Sequence, residues 1–415
     1  MKRVIAYALL LSLTLSLGPG CKKKDVAVDD YKGMQQEQTE NLEYEMTELE
    51  IPKSLTIAEQ GMYTYMGNSF DGFVADTEGN PAIYQYVPQS AGDYVEADFV
   101  RYDLVDDDWK ETEICEDSLD EFLERRWEKT SWISYEVKQF RRGDDGMLYC
   151  GLMFYVESEL EDGSVVYVPE YSLLQMDEDN DFVNEIPLTD ALKKKVDLPQ
   201  TDNLYRRNSE DLSILVDYHV YDDGNILLCY VDTGSELGLY LDGETGQVLN
   251  DLGVLNNGKI TIAFGESDIL TYSQEQKGFV VRSIPDFTEL NVFGQNLKEE
   301  VLGQNWYYQM DPDMGETYLF NGMGIYSIMN YQEDPDLTSL ENGLNVLDVM
   351  NQSVSREEEG SSDFGEEMVV DFFMKERDHF YVCTKSEAGG EGYAKEVLYR
   401  MVRFDNKNVE KEQES

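Results

Sequence analysis

What most constrains this chain is a repetition. From about residue 55 onward, short runs rich in Tyr, Val, Ile and Phe recur, each closed by Gly, Asp or Asn. Runs of this length and composition bounded by turn formers are strands joined as hairpins. Clear examples are Tyr63–Met66, Gly72–Ala75, Ala82–Tyr86 and Phe99–Asp103. Others are Asn225–Asp232, Leu237–Leu241 and Gln247–Leu249, and then Asp268–Tyr272 and Gly278–Ile284. The last group is Val369–Met374, Phe380–Cys383 and Val397–Asp405. Asp145-Gly146, Asp223-Gly224 and Asp242-Gly243 supply tight turns, because glycine takes positive φ without a Cβ penalty.

Units of about four strands spaced about 40–60 residues apart are the footprint of a β-propeller. The expected fold is therefore all-β, a propeller of about seven or eight four-stranded blades over residues 51–405. One segment interrupts the strand pattern. In Glu116–Trp127, Ser118 and Glu121 have capping-box spacing and Leu119, Phe122, Leu123 and Trp127 share one helical face, predicting a short amphipathic helix packed on the propeller.

The first residues read as an export signal. Lys2 and Arg3 precede the apolar run Val4–Leu17, which is too short and wrongly flanked to span a bilayer. It closes on Leu17-Gly18-Pro19-Gly20-Cys21, small residues before a cysteine as in a lipoprotein cleavage site. The large apolar residue stands one place further out than usual, since Gly18 holds the third position before Cys21. Residues 1–20 are thus expected to be a lipoprotein signal peptide and Cys21 the lipidation site, where two acyl chains suffice for stable anchoring. Residues 21–50 are polar and read as a flexible tether, its Lys22-Lys23-Lys24 meeting anionic headgroups. Residues 406–415 form a charged tail. The expected location is the extracytoplasmic face of the membrane of a Gram-positive-like bacterium.

Charge narrows the partners. With 33 Lys+Arg against 85 Asp+Glu, the net charge of -52 repels phosphate backbones, so no nucleic acid is expected. Disorder is not implied, because 28 Tyr, 17 Phe and 4 Trp can form a core. Apart from Cys21, the cysteines Cys115, Cys150, Cys229 and Cys383 are scattered without C-x-x-C spacing, which excludes a zinc-finger pattern and favours buried free thiols.

The stretch Tyr318–Asp405, with Gly324-Ile325-Tyr326-Ser327, the Leu337-Thr338-Ser339-Leu340 loop and Val397-Leu398-Tyr399-Arg400-Met401, resembles the N-terminal propeller region of large clostridial (Firmicutes) extracellular solute-binding lipoproteins. The resemblance spans about residues 50–405 and implies a surface propeller that binds or docks a partner. In that family a solute-binding domain follows. Here the sequence passes into a charged tail and stops at Ser415, so no such domain is expected and transport is not carried over.

Motifs for chemistry are sparse. His219 in Asp217-Tyr218-His219-Val220-Tyr221 and His379 in Arg377-Asp378-His379-Phe380-Tyr381 could each be a general base, but neither accompanies a nucleophile motif, which favours structural roles. Asp177-Glu178-Asp179-Asn180-Asp181 begins like a calcium loop, yet Phe182 and Leu188 occupy the positions of the required Gly and Glu, so a blade turn is expected. Trp306-Tyr307-Tyr308 reads as strand packing rather than a sugar platform. No metal and no cofactor is implied. The reading is a lipid-anchored binding or scaffold module whose ligand the sequence does not identify, with protein and carbohydrate as the partner classes it allows. The alternatives are a carbohydrate-active enzyme with a carboxylate site in the propeller centre, or an accessory subunit of a solute-uptake system.

Overall fold

The computed structural model describes residues 44–52, 70–113, 132–198, 215–256, 263–295, 307–329 and 367–406, less a few short internal stretches, together with Leu55 and Met350. Two compact units make up the chain. A terminal unit takes Met1–Leu49, Trp306–Glu391 and Val397–Ser415, and a longer unit takes Glu50–Asn305 and Gly392–Glu396.

The first described strand is β1 (Tyr44–Leu49). In the longer unit, β2 (Val74–Ala75), β3 (Pro81–Ala91), β4 (Tyr94–Val105) and β5 (Asp108–Glu113) form one antiparallel sheet. A second is β6 (Trp132–Arg142), β7 (Leu148–Glu159), β8 (Val165–Met176) and β9 (Phe182–Pro187), followed by the one-turn helix α1 (Thr189–Leu192). The third is β10 (Leu215–Val220), β11 (Ile226–Asp232), β12 (Ser235–Leu241) and β13 (Val248–Asn256). The fourth is β14 (Ala263–Phe264), β15 (Asp268–Ser273), β16 (Gly278–Ser283) and β17 (Glu289–Phe293). The terminal unit holds the three-stranded sheet β18 (Tyr307–Asp311), β19 (Glu316–Phe320) and β20 (Ile325–Met329). It also holds β21 (Met368–Glu376), β22 (His379–Glu387) and β23 (Val397–Asn406), which β1 completes in the order β1-β23-β22-β21.

Strand β7 shows why these sheets stack. Its first eight residues are all buried. Leu148, Cys150, Leu152 and Phe154 enter a cluster with Val74, Ala82 and Tyr84 of the preceding sheet. The alternate residues Tyr149, Met153 and Tyr155 enter a second cluster with Tyr218, Ile226, Leu228 and Leu239 of the following sheet. Side chains alternate between the faces of a strand, so a run that is apolar at every position must be covered on both. A sheet clasped between its neighbours in this way is a propeller blade, and the protein is an all-β propeller. Each such side chain contributes about 1.5–3 kcal/mol on burial.

Blade number departs from the expected seven or eight. The described residues form six sheets, five of four strands and one of three. Each blade consumes more chain than the spacing suggests, because β3, β4, β6, β7 and β8 run to 11 or 12 residues, about twice the usual strand. One blade also draws a strand from each end of the chain. The tether boundary shifts for the same reason: Tyr44–Leu49, read from sequence as tether, pairs residue for residue with β23 from Tyr44↔Asn406 to Leu49↔Met401. Tyr63–Met66, the Glu116–Trp127 helix and the Leu337–Leu340 loop lie outside the described residues. The short helix α1 follows β9, where Thr189 Oγ1 accepts the Tyr171 N–H at 2.7 Å and Leu188, Ala191 and Leu192 fill the second cluster.

Asp145-Gly146, Asp162-Gly163 and Asp223-Gly224 make a single recurring turn, whereas Asp242-Gly243 lies in a longer loop closed by the Asp242 N–H on the Gln247 carbonyl at 2.9 Å. In 143–147, 160–164 and 221–225 the first residue's N–H donates to the fifth residue's carbonyl at 2.8–2.9 Å. The glycines Gly146, Gly163 and Gly224 sit at φ +78 to +80. Asp145, Asp162 and Asp223 Oδ1 each accept the N–H of the residue after that glycine, at 2.9–3.0 Å. This is the three-residue hairpin loop with a bulge glycine rather than a two-residue turn.

Candidate functional site

The first strands of consecutive blades end together. Arg142, the last residue of β6, donates from Nε to the carbonyl of Ala75, the last residue of β2, at 2.7 Å. Asp144, in the turn after β6, donates its N–H to the carbonyl of Val220, the last residue of β10, at 2.9 Å. The β2–β3, β6–β7 and β10–β11 turns therefore gather at one end of the longer unit. They bring Asp76 and Glu78, Asp144 and Asp145, and Asp222 and Asp223 to one acidic edge. The turn aspartates are engaged locally. Asp76 Oδ1 accepts the N–H groups of Glu78 and Asn80 at 2.8 and 2.7 Å, and Asp145 Oδ2 accepts the Tyr149 hydroxyl at 2.6 Å.

His219 lies at this end. Its Nε2 is 2.9 Å from Asp144 Oδ2, and since a carboxylate only accepts, Nε2 carries the proton in this bond. The imidazole packs edge-on against Tyr221, ring centres 4.7 Å apart, and Tyr221 leans on Tyr240 at 6.0 Å. Tyr221 is buried, and its hydroxyl has no hydrogen-bond partner. Across the next blade junction stands Asp268, the first residue of β15, buried to 3% exposure.

His379 repeats the arrangement in the terminal unit. Nδ1 is 2.5 Å from Asp405 Oδ1 and Nε2 is 2.7 Å from the Tyr381 hydroxyl. Arg403 donates from Nε to Asp405 Oδ2 at 2.8 Å and from Nη2 to Thr47 Oγ1 of β1 at 3.3 Å. With both ring nitrogens engaged, His379 holds strands together and offers no free lone pair to a substrate. Each histidine thus precedes a tyrosine by two residues on one strand face and is held by an aspartate distant in sequence.

The other residues singled out in the sequence fall as follows. Cys150, Cys229 and Cys383 are buried free thiols, and burial raises the Cys229 and Cys383 thiols well above their ordinary range. Cys21 and Cys115 lie outside the described residues. Asp177 and Asp181 close the β8–β9 turn, Asp177 Oδ1 accepting the Asp181 N–H at 3.0 Å. Tyr307 and Tyr308 belong to β18, and Trp306 lies outside the described residues. Among the described residues no group of three or more His, Cys, Asp or Glu side chains is placed to hold a metal ion. Sequence reading singles out His219 and Asp145 but not Asp144. The signal was an acidic pair ahead of a glycine, Asp144-Asp145-Gly146, repeated as Asp222-Asp223-Gly224.

Buried tyrosines set the electrostatics of this region. Burial raises the phenol of Tyr149 far above its ordinary range, with the Asp145 hydrogen bond adding to it. Burial does the same to Tyr218 and to Tyr221, and pushes Tyr230 up to about 12. A phenol whose folded pKa exceeds the unfolded value of about 10 contributes stability fully present below pH 10 and lost as pH rises through the folded value. Phenolate absorbance followed together with circular dichroism is expected to show these groups protonated at pH 11 (between the two values), then ionising in one step with unfolding. Ionisation of all 28 tyrosines near pH 10 with the dichroism unchanged would contradict this.

No protein-family model matches the chain, and no curated protein matches it. Solved structures to which it is similar include a Bacteroides caccae protein of unknown function, at 11% identity, covering 67% of this chain and 86% of that one with a TM-score of 0.37. Another is the Dos1 propeller, at 8% identity, 80% and 66% coverage and a TM-score of 0.35. A third is the β-propeller domain of the Trilobed protease from Pyrococcus furiosus, at 9% identity, 80% and 82% coverage and a TM-score of 0.34.

Proposed function

We propose that this protein is a lipid-anchored, extracytoplasmic β-propeller that acts as a binding or scaffold module, tethered at Cys21 with its acidic turns presented to a partner. The observation that supports it best is the shared turn end of β2, β6 and β10. There the aspartates are held by their own turns and by a neighbouring blade, an arrangement that makes a rigid recognition edge. A strongly acidic edge on a soluble head raises the encounter rate with cationic partners and keeps the head off anionic lipid. The lipoprotein-like Leu17–Cys21 sequence supports the anchor.

Two measurements test this reading. Radiolabelled palmitate is expected to enter the full-length protein, which sediments with membranes, whereas Cys21→Ala carries no label and appears in the medium. Label on the Cys21→Ala protein would remove the anchor. The detergent-solubilised full-length protein is expected to retain ligands from peptide and glycan arrays without altering them. Turnover of a glycan, abolished by changing one carboxylate, would replace a binding module with an enzyme.

A further inference from the structure

Strand β8 is longer than the strand that flanks it. It runs 12 residues, but β9 pairs only with 172–176, and the chain then leaves this lane at Leu188 to enter α1. Tyr171 closes the ladder: its N–H donates to Thr189 Oγ1 at 2.7 Å and its carbonyl accepts the Leu188 N–H at 2.8 Å. Among the described residues no strand pairs with this side of β8 ahead of that point.

Register fixes which groups stand on the open side. The Leu160 N–H donates to the Ser164 carbonyl at 2.8 Å. The alternation of an antiparallel pair then turns the backbone groups of Val166, Val168 and Glu170 toward β7, and those of Val165, Tyr167 and Pro169 away from it. The open edge presents the N–H and C=O of Val165 and Tyr167 and the C=O of Pro169, and Pro169 ends the row of donors. Outer strands are commonly blunted by charge, as β5 is by Asp108, Lys110, Glu111 and Glu113. Residues 165–168 are Val-Val-Tyr-Val, a strand-forming run without charge. Val165 is 40% exposed, and Leu160 at the turn is 41% exposed.

We propose that this edge takes an extended segment of a partner protein, added as a strand in the lane that β9 leaves, in which apolar and basic residues alternate. The mode is strand addition, where backbone bonds give affinity and alternate side chains give selectivity. The two faces of the hairpin set the pattern. On one, Val166 and Val168 stand across from Ser158 and Val156, with Leu160 beyond them, and this face suits apolar side chains. On the other, Glu157 and Glu159 are exposed opposite Tyr167 and Val165. Two strand spacings put them about 10 Å from the added strand, a gap that a lysine and a glutamate span together. Asp162 in the turn adds to the attraction. The same acids oppose a second copy of this chain. Two such edges paired about a two-fold axis normal to the sheet would bring Glu157 and Glu159 of both copies to one face, in chains of net charge -52 each. The surface goes beyond the acidic turn edge of the binding-module reading, because the β7–β8 turn lies at the opposite end of β7 from the β6–β7 turn.

The test is fluorescence anisotropy of a labelled, capped peptide, Lys-Val-Lys-Val-Thr-Val-Lys, titrated with the detergent-solubilised full-length protein. Saturable binding is expected, with slower hydrogen exchange across 165–169 in the complex. Two control peptides, one with glutamate for every lysine and one with proline for the central valine, are each expected to bind about tenfold more weakly or not at all. Val165→Pro removes an outward N–H at the first position of β8 and keeps the bonds to β7, and is expected to weaken binding about tenfold. The double variant Glu157→Gln/Glu159→Gln is expected to weaken it severalfold and to flatten its salt dependence. Should Val165→Pro fail to fold, that exposed double variant and the proline peptide decide. No saturable binding, equal binding of the proline peptide, or unchanged affinity in Val165→Pro would overturn the proposal. So would amides of Val165 and Tyr167 already protected in the protein alone, which would show the lane filled by the chain itself. A concentration-dependent dimer lost in Val165→Pro would give the edge to a second copy instead. Any of these failures leaves the array and palmitate tests, and so the binding-module reading, intact.

Discussion

Phe404→Ala is expected to destabilise the terminal unit by about 3–5 kcal/mol and to release β1. Phe404 is fully buried. Its ring stacks on Phe380 with centres 4.9 Å apart and planes within 4°. Tyr44 of β1 meets both rings edge-on, at 5.8 Å from Phe380 and 5.9 Å from Phe404. The polar ties of β1 are weaker by comparison. Arg400 reaches Glu48 at 3.0 Å, but Glu48 is 59% exposed, and an exposed pair of this kind is worth about 0–1 kcal/mol. Aromatic packing therefore decides whether the first and last parts of the chain stay joined. Urea unfolding of the full chain measures the cost, and hydrogen exchange across 44–49 reports the release. A loss below about 1 kcal/mol would show that the ladder with β23 holds β1 without the aromatic cluster. The double variant Tyr44→Ala/Phe404→Ala is expected to cost less than the two singles together, because the rings touch.

The same strand shows where sequence reading reaches its limit. Tyr44–Leu49 reads Tyr-Glu-Met-Thr-Glu-Leu, too polar to stand out beside a tether, and its partner β23 is at the far end of the chain. Pairing across such a separation leaves no local signal. Outer strands are missed for a related reason. Asp108–Glu113 carries four charges in six residues and Glu289–Phe293 turns its first residues to solvent, so only the blade beside them makes them strands. Middle strands are legible because they are covered on both faces. Leu148–Phe154, Ile226–Tyr230 and Phe380–Cys383 are unbroken apolar runs. At the candidate site, His219 and the Asp-Gly turns can be read locally. The Asp144–His219 contact cannot, since it depends on how one blade settles on the next.

Blade-to-blade fit also makes Gly246→Ala the more damaging of two similar changes. The β12–β13 turn folds around Asp242, whose Oδ1 accepts the N–H of Thr245 at 2.8 Å and the Thr245 hydroxyl at 2.6 Å. Those bonds hold the Asp242 carboxyl below its ordinary range. Within this turn Gly246 takes φ +67, and a Cβ built there would lie 1.9 Å from the carbonyl oxygen of Pro187, the last residue of β9 in the adjacent blade. Gly243 in the same turn approaches Gly224 as closely, its Cβ falling 1.7 Å from that carbonyl oxygen. Backbone atoms cannot rotate aside as a side chain can, so the turn and the end of β9 must separate. Gly163→Ala supplies the comparison, because Gly163 has φ +79 with nothing within 4 Å of the added carbon. That change meets conformational strain alone, about 1–2 kcal/mol. Gly246→Ala meets the strain and the collision together, and a loss above about 3 kcal/mol is expected. Parallel urea unfolding of the two variants reads the difference. Equal losses would mean that β9 gives way at no cost and that the contact between these blades is soft. A gap of 1 kcal/mol or more would show a fixed seam, of the kind needed to hold Asp144, His219 and Tyr221 in register across the same pair of blades.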